Sequence, residues 1–206
     1  LSLALFTVAW VQYDTCHAET SSAGAMRKSG GWPPHSKSEA IMLVSFRPCG
    51  PKDHGKLLKL VRAYYRFDKI PYDVRSLSKG LDTLLRNVSQ GQTWLMENHK
   101  KAVGYAVLTY NFDLEYGGVE GMLTDLYVDK RYRNKGIGSL ALFEIEDFCR
   151  ERGIRAIELQ VQHHNRAAET FYRKAGFHVL KRKVMLMSVR PEEVTQPLRA
   201  IANKRR

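Results

Sequence analysis

Residues 131–139, RYRNKGIGS, constrain the fold more than any other stretch of the chain, because they join two patterns of different period. Upstream, Met122, Leu123, Leu126, Tyr127 and Val128 form a short apolar, partly β-branched and aromatic run closed by Asp129, Lys130 and Arg131, which reads as a buried strand. Downstream, Ile137, Leu140, Ala141, Ile145 and Phe148 recur at helical spacing, and Gly153 tolerates left-handed geometry after the last turn. The order is strand, glycine turn, helix. Such a turn gathers backbone N–H groups at the positive end of a helix dipole and so favours a phosphate or pyrophosphate. The plainer reading is a solvated turn with a capping glycine.

The spacing excludes two well-known phosphate loops. No GxxxxGK followed by Ser or Thr is present, and Gly136 and Gly138 are followed by Leu140 and Ala141, so the third glycine of GxGxxG is missing. What remains is RxxGxG: Arg133, Gly136 and Gly138. Further on, Ile157, Leu159 and Val161 alternate with Glu158, Gln160 and Gln162, so residues 154–162 read as a half-buried strand. Asn165 stands at a helix N-cap position ahead of Ala167, Ala168, Phe171 and Tyr172, and Gly176 ends that helix. Residues 177–180 and 184–189 read as two more strands joined by a KRK turn.

With LTDLYVDKRYRNKGIGSLAL and NRAAETFYRKAGF in these contexts, the chain resembles the GNAT superfamily of acetyl-CoA-dependent N-acetyltransferases. The resemblance extends more weakly from about Ile41 to Val189. It implies an α/β fold: a mixed, mostly antiparallel sheet flanked by helices, with the cofactor strands splayed apart. The earlier sequence fits that order. Residues 41–46 form an apolar strand, residues 56–67 and 76–88 read as helices separated by Pro71, and residues 93–96 and 103–110 as strands joined by a polar turn at 98–101.

A domain over residues 39–190 is of ordinary size for one core. It leaves residues 1–38 as a disordered leader or a targeting segment. Their apolar stretch, LSLALFTVAWV, is shorter than the roughly 20 residues of a membrane span, and no basic n-region precedes it. Cys16, Cys49 and Cys149 are too scattered for a disulfide framework or a metal site, and favour a reducing, cytoplasmic compartment unless the leader is an organelle or secretory signal. The net charge is +12, and half the excess lies in residues 181–206, where eight Lys and Arg face Glu192 and Glu193. Residues 191–206 read as a basic tail. No helix-turn-helix, zinc or RNA-binding signature accompanies it, so no specific nucleic-acid partner is expected. Coenzyme A is itself a polyanion, which gives Arg131, Arg133, Lys135, Arg173 and Lys174 a use.

The resemblance implies roles residue by residue. Leu126, Tyr127 and Val128 would pair with the pantetheine amides as an added strand does. Arg133, Asn134, Lys135, Gly136, Ile137, Gly138 and Ser139 would hold the pyrophosphate, while Asn165 and Ala168 would meet the cofactor arm. The backbone N–H near Leu126 would stabilise the oxyanion, and Tyr172 would be the general acid that donates toward the departing thiolate. Part of the family carries Glu or His at the position of Thr124, which cannot act as a base. Asp125 is the nearest substitute, though strand alternation turns it to the opposite face unless a bulge intervenes. Glu120, Glu115 or bulk water are the other proton acceptors. Acetyl-CoA is the expected co-substrate and no metal is expected. The acceptor is a primary amine of a small molecule, favoured by Asp113, Glu115, Glu120 and Asp125, or of a peptide or protein. A non-catalytic acyl-CoA-binding module is the reading from another class. A homodimer fits the resemblance, and no membrane span is expected.

Overall fold

In a computed structural model that describes residues 44–187, five strands form one sheet in sequence order: β1 (Val44–Pro48), β2 (Gly91–Asn98), β3 (Lys101–Asp113), β4 (Gly118–Val128) and β5 (Ile157–Leu159). The first four are an antiparallel meander, and β5 joins β4 in parallel. Four α-helices flank the sheet: α1 (His54–Phe67), α2 (Val74–Arg86), α3 (Ile137–Glu151) and α4 (Arg166–Lys174). The parallel step needs a crossover, and α3 supplies it.

Alternation along the strands divides the core into two layers. Leu57, Leu60 and Val61 of α1 with Leu81 and Leu85 of α2 pack on Leu95, Tyr105, Val107 and Tyr127. Ile137, Ala141, Leu142, Ile145 and Cys149 make the buried face of α3, and Phe148 meets Trp94 edge-on at 4.9 Å between ring centroids. Among the described residues, no helix is long and apolar enough to cross a membrane.

The second helix begins two residues earlier than its periodicity predicts, because the Asp73 carboxylate accepts the Ser76 N–H at 2.8 Å and caps it. Strand β5 is only Ile157–Leu159, shorter than the predicted 154–162, because its pairing with β4 ends at Leu159. The predicted strand over 177–180 and the described part of that over 184–189 do not form. A strand needs a ladder partner, and these segments have none among the described residues, which leaves Val184, Met185, Leu186 and Met187 exposed. The predicted leader, the basic tail and residues 41–43 of the first predicted strand lie outside the described residues.

A charge network anchors β1 to the start of α1. Arg47 bonds Asp53 at 2.7 Å and the buried Glu97 at 2.7 Å, and Lys56 reaches the other oxygen of Glu97 at 2.8 Å. The Arg47 guanidinium holds the Asp53 carboxyl down at about 2. A depressed folded value means that its stabilisation is complete above the ordinary value near 4 and is lost as pH falls toward about 2. Asp53→Asn should therefore cost on the order of 1 kcal/mol at neutral pH, after allowing for solvent screening of the partly exposed Arg47. Urea unfolding across acid pH checks this, since the variant should lose that part of the acid dependence.

Candidate functional site

The site grows from an irregularity in β4. Val107 of β3 stands opposite Asp125, but Leu108 stands opposite Leu123, so Thr124 is an extra residue in β4. Its hydroxyl donates to the Val107 carbonyl at 3.3 Å, and its side chain is exposed. A bulge of this kind shifts the phase of the strand by one residue. Asp125 therefore takes the core face that plain alternation gives to Thr124, beside Tyr105 and Tyr127.

Asp125 is partly open but surrounded by protein. The Tyr105 hydroxyl donates to it at 3.1 Å, and Tyr64, Tyr65 and Tyr172 all feel its charge. Burial pushes the Asp125 carboxyl up to about 6, against the opposing pull of the Tyr105 hydrogen bond. Burial, then the Asp125 charge, raises the Tyr172 phenol to about 12. Tyr172 is held by Phe171 and Phe177, with centroids 5.1 and 5.6 Å away. Tyr64, Tyr65 and Tyr105 are not among the residues that the sequence motifs single out. A tyrosine between Val103 and Val107 on a buried strand face needs a partner for its hydroxyl, and that signal was available.

Beyond Leu123, β4 has no strand on its outer side among the described residues. The Asp129 N–H bonds the Val103 carbonyl at 2.8 Å, so antiparallel alternation gives the backbone groups of Asp125 and Tyr127 to β3. Those of Leu126 and Val128 point to the open side. Arg133 takes the Val128 carbonyl at 2.8 Å and stacks over the Phe67 ring at 4.2 Å. Arg133 thus braces the edge of β4, and the Tyr127 side chain belongs to the core. A surface cleft of about 530 Å³ beside the turn is lined by Arg66, Phe67, Lys130, Arg131 and Arg133 among others, and reaches neither Asp125 nor Tyr172.

The glycine turn is built from local rules. Asp129 accepts the Arg131 N–H at 3.0 Å and binds its guanidinium at 2.8 Å, which shapes the short 3-10 turn Lys130–Tyr132. Asn134 and Gly136 adopt left-handed φ of 59° and 80°. Gly136 is the N-cap of α3 and has no side chain to cap it, so the first N–H groups, those of Ile137, Gly138 and Ser139, are turned outward without a side-chain acceptor. Lys135 lies 5.6 Å from the Tyr132 ring centroid. A Cβ on Gly138 would come within 3.2 Å of the Phe171 ring, so this glycine lets α4 sit against the start of α3. Asn165 caps α4 by accepting the Ala168 N–H at 3.1 Å, which occupies that N–H and leaves the Asn165 amide hydrogens without an acceptor among the described residues.

The arrangement brings an open strand edge, an uncapped helix start, a half-buried carboxylate and a half-buried phenol to the end of β4 beyond its pairing with β5. An extended chain with amides and a pyrophosphate fits it: the edge offers N–H and C=O, and the helix start offers anion-binding N–H groups. Glu115 is tied to Arg182 on the surface and stays away from Asp125. His163 and His164 are exposed.

Comparisons with known proteins agree with this geometry. Residues 56–177 match the model of the Acetyltransferase (GNAT) family. The uncharacterized N-acetyltransferase YhfO of Bacillus subtilis (strain 168) is 25% identical over 134 residues, 65% of this chain and 89% of its own. An integron cassette protein from the mobile metagenome of Cole Harbour Salt Marsh superposes with a TM-score of 0.64 at 27% identity, over 71% of this chain and 91% of that one. A predicted acetyltransferase of Clostridium acetobutylicum, crystallised with acetyl-CoA, has the same fold, with a TM-score of 0.60 at 20% identity over 70% of this chain and 96% of that one.

Proposed function

The chain belongs to the GNAT family and is an acetyl-CoA-dependent N-acetyltransferase, and from this premise we propose that it acetylates a primary amine of a small cationic molecule by direct attack in a ternary complex. The observation that carries the reading is the Thr124 bulge, which sets Asp125 among tyrosines on the face that Tyr172 also meets.

When bound, acetyl-CoA supplies a thioester acetyl group and a thiolate leaving group. The open backbone groups of Leu126 and the Val128 N–H orient the pantetheine arm, and the N–H groups of Ile137, Gly138 and Ser139 hold the pyrophosphate. Asp125 binds the acceptor ammonium among aromatic rings and takes its proton. With its carboxyl near 6, it is ionised at neutral pH yet more basic than an exposed aspartate. The Leu126 N–H donates to the carbonyl oxygen as negative charge grows on it. Tyr172 remains protonated throughout the neutral range and donates a hydrogen bond to the sulfur as the C–S bond breaks. A phenol this weakly acidic gives up its proton reluctantly, so the hydrogen bond itself is its contribution, and the surplus proton on the attacking nitrogen neutralises the departing thiolate as the C–N bond forms.

Turnover of an amine panel with acetyl-CoA tests the reading. Tyr172→Phe should lower kcat by about ten- to a hundredfold with little change in KM for acetyl-CoA. Unchanged kcat would remove Tyr172 from the reaction. Saturable binding of coenzyme A with no acetylated amine would leave a binding module instead.

A further inference from the structure

Glu120 is buried, 3% exposed, yet only half satisfied. The Asn111 amide donates to its Oε1 at 2.8 Å, while Oε2 has no partner among the described residues. The other buried glutamate, Glu97, shows what such a carboxylate ordinarily has, since Arg47 and Lys56 each take one of its oxygens. Among the described residues, Glu120 has one neutral amide and no cation bonded to it. A buried carboxylate oxygen without a donor is costly, and a cation is the partner that relieves it best.

Its position gives that cation a source. Asn111, Thr109 and Val107 are alternate residues of β3 and share one face, and they stand opposite Glu120, Met122 and Asp125. Glu120 and Asp125 thus project from the same face of β4, their partners four residues apart, which corresponds to about 13 Å at a strand's rise. The bulge at Thr124 is what aligns the two carboxylates. Glu158 of β5 stands opposite Met122, between them, where the Arg182 guanidinium feels its charge. The remaining acids of this region are engaged elsewhere, Glu115 by Arg182 and Asp113 by the Glu115 N–H.

We propose that Glu120 is a second anionic subsite that takes the distal ammonium of a diamine or longer polyamine whose reacting amine lies at Asp125. This rests on the amine-acetyltransferase reading above and adds to it the length and charge of the acceptor. One ammonium at each carboxylate, with methylenes between them over Met122, matches two charges separated by an apolar surface.

The test uses the full chain with saturating acetyl-CoA, n-hexylamine, and the α,ω-diaminoalkanes from diaminobutane to diaminododecane. For the wild type, kcat/KM should pass through a maximum within the series and exceed that of n-hexylamine there. Glu120→Gln should lower kcat/KM for the best diamine roughly tenfold or more, through KM, and leave n-hexylamine within about twofold. Glu120→Met, apolar and of similar volume, should behave alike and melt no lower than the wild type, which guards against a folding defect in the amide variant. Thermal shifts of the coenzyme A-loaded protein on adding each diamine give a second readout that needs no turnover. The subsite is overturned by the lack of a length optimum, by equal losses for monoamine and diamines, or by diamine shifts that ignore Glu120. Absence of acetylation with every amine overturns the parent reading instead, and a Glu120-dependent diamine shift would still support the subsite.

Discussion

Asp125→Asn is expected to lower kcat/KM at neutral pH by about 10²- to 10³-fold and to leave the protein at least as stable as before. Both effects come from the same burial. A folded carboxyl near 6, above the ordinary value near 4, binds protons in the folded state across that interval, so stability declines as pH rises through it. At neutral pH the ionised form is a cost to the fold, and an amide removes it. The charge is retained against that cost, as expected of a functional group more than of a structural one. Wild-type kcat/KM should fall as pH drops through about 6, while the residual activity of Asp125→Asn should be flat there. Rate profiles with parallel calorimetric melts decide the matter. A variant with full activity, or with an unchanged acid limb, would move the base elsewhere.

What the sequence revealed of this site, and what it hid, follows the range of the interactions. Gly136, Asn165 and Gly153 act within one turn of chain, and the turn, both helix starts and the order of elements were readable from residues a few positions apart. The Asp73 cap is equally local, two residues beyond Pro71. Asp125 was legible as a candidate but not as a neighbour of Tyr105. Its face depends on whether Thr124 is bulged, and that is fixed by the register with β3, about twenty residues upstream. Arg133 illustrates the same limit. Its spacing to Gly136 suggests a phosphate ligand, and only the fold adds the bond from its Nε to the Val128 carbonyl and the stack on the Phe67 ring. The apolar runs after Gly176 misled because hydrophobic content specifies a strand only where another strand can receive it. Charge was the least legible property. Glu97 and Glu120 look alike in the chain, and only the fold provides one with two cations and the other with a single amide.

Gly136→Val should abolish tight binding of the donor while sparing the acceptor side. At φ 80°, ψ −3°, Gly136 occupies left-handed space that a β-branched residue adopts only at a cost of roughly 1–2 kcal/mol. Its carbonyl also accepts the Leu140 N–H at 2.9 Å, the first bond of α3. The chain can relieve the strain by shifting the start of the helix, which turns the N–H groups of Ile137, Gly138 and Ser139 away from their common target. Two charge-assisted hydrogen bonds lost from a pyrophosphate amount to about a hundredfold in affinity. Calorimetric titration should show this weakening for coenzyme A but little change for pantetheine, which ends before the pyrophosphate. The core face of α3 buries Ile145 and Cys149 far from the turn, so the melting temperature should fall only modestly. Equal losses for coenzyme A and pantetheine would mean that the turn orders the whole groove instead of gripping the pyrophosphate, and the role given to its N–H groups would have to be withdrawn.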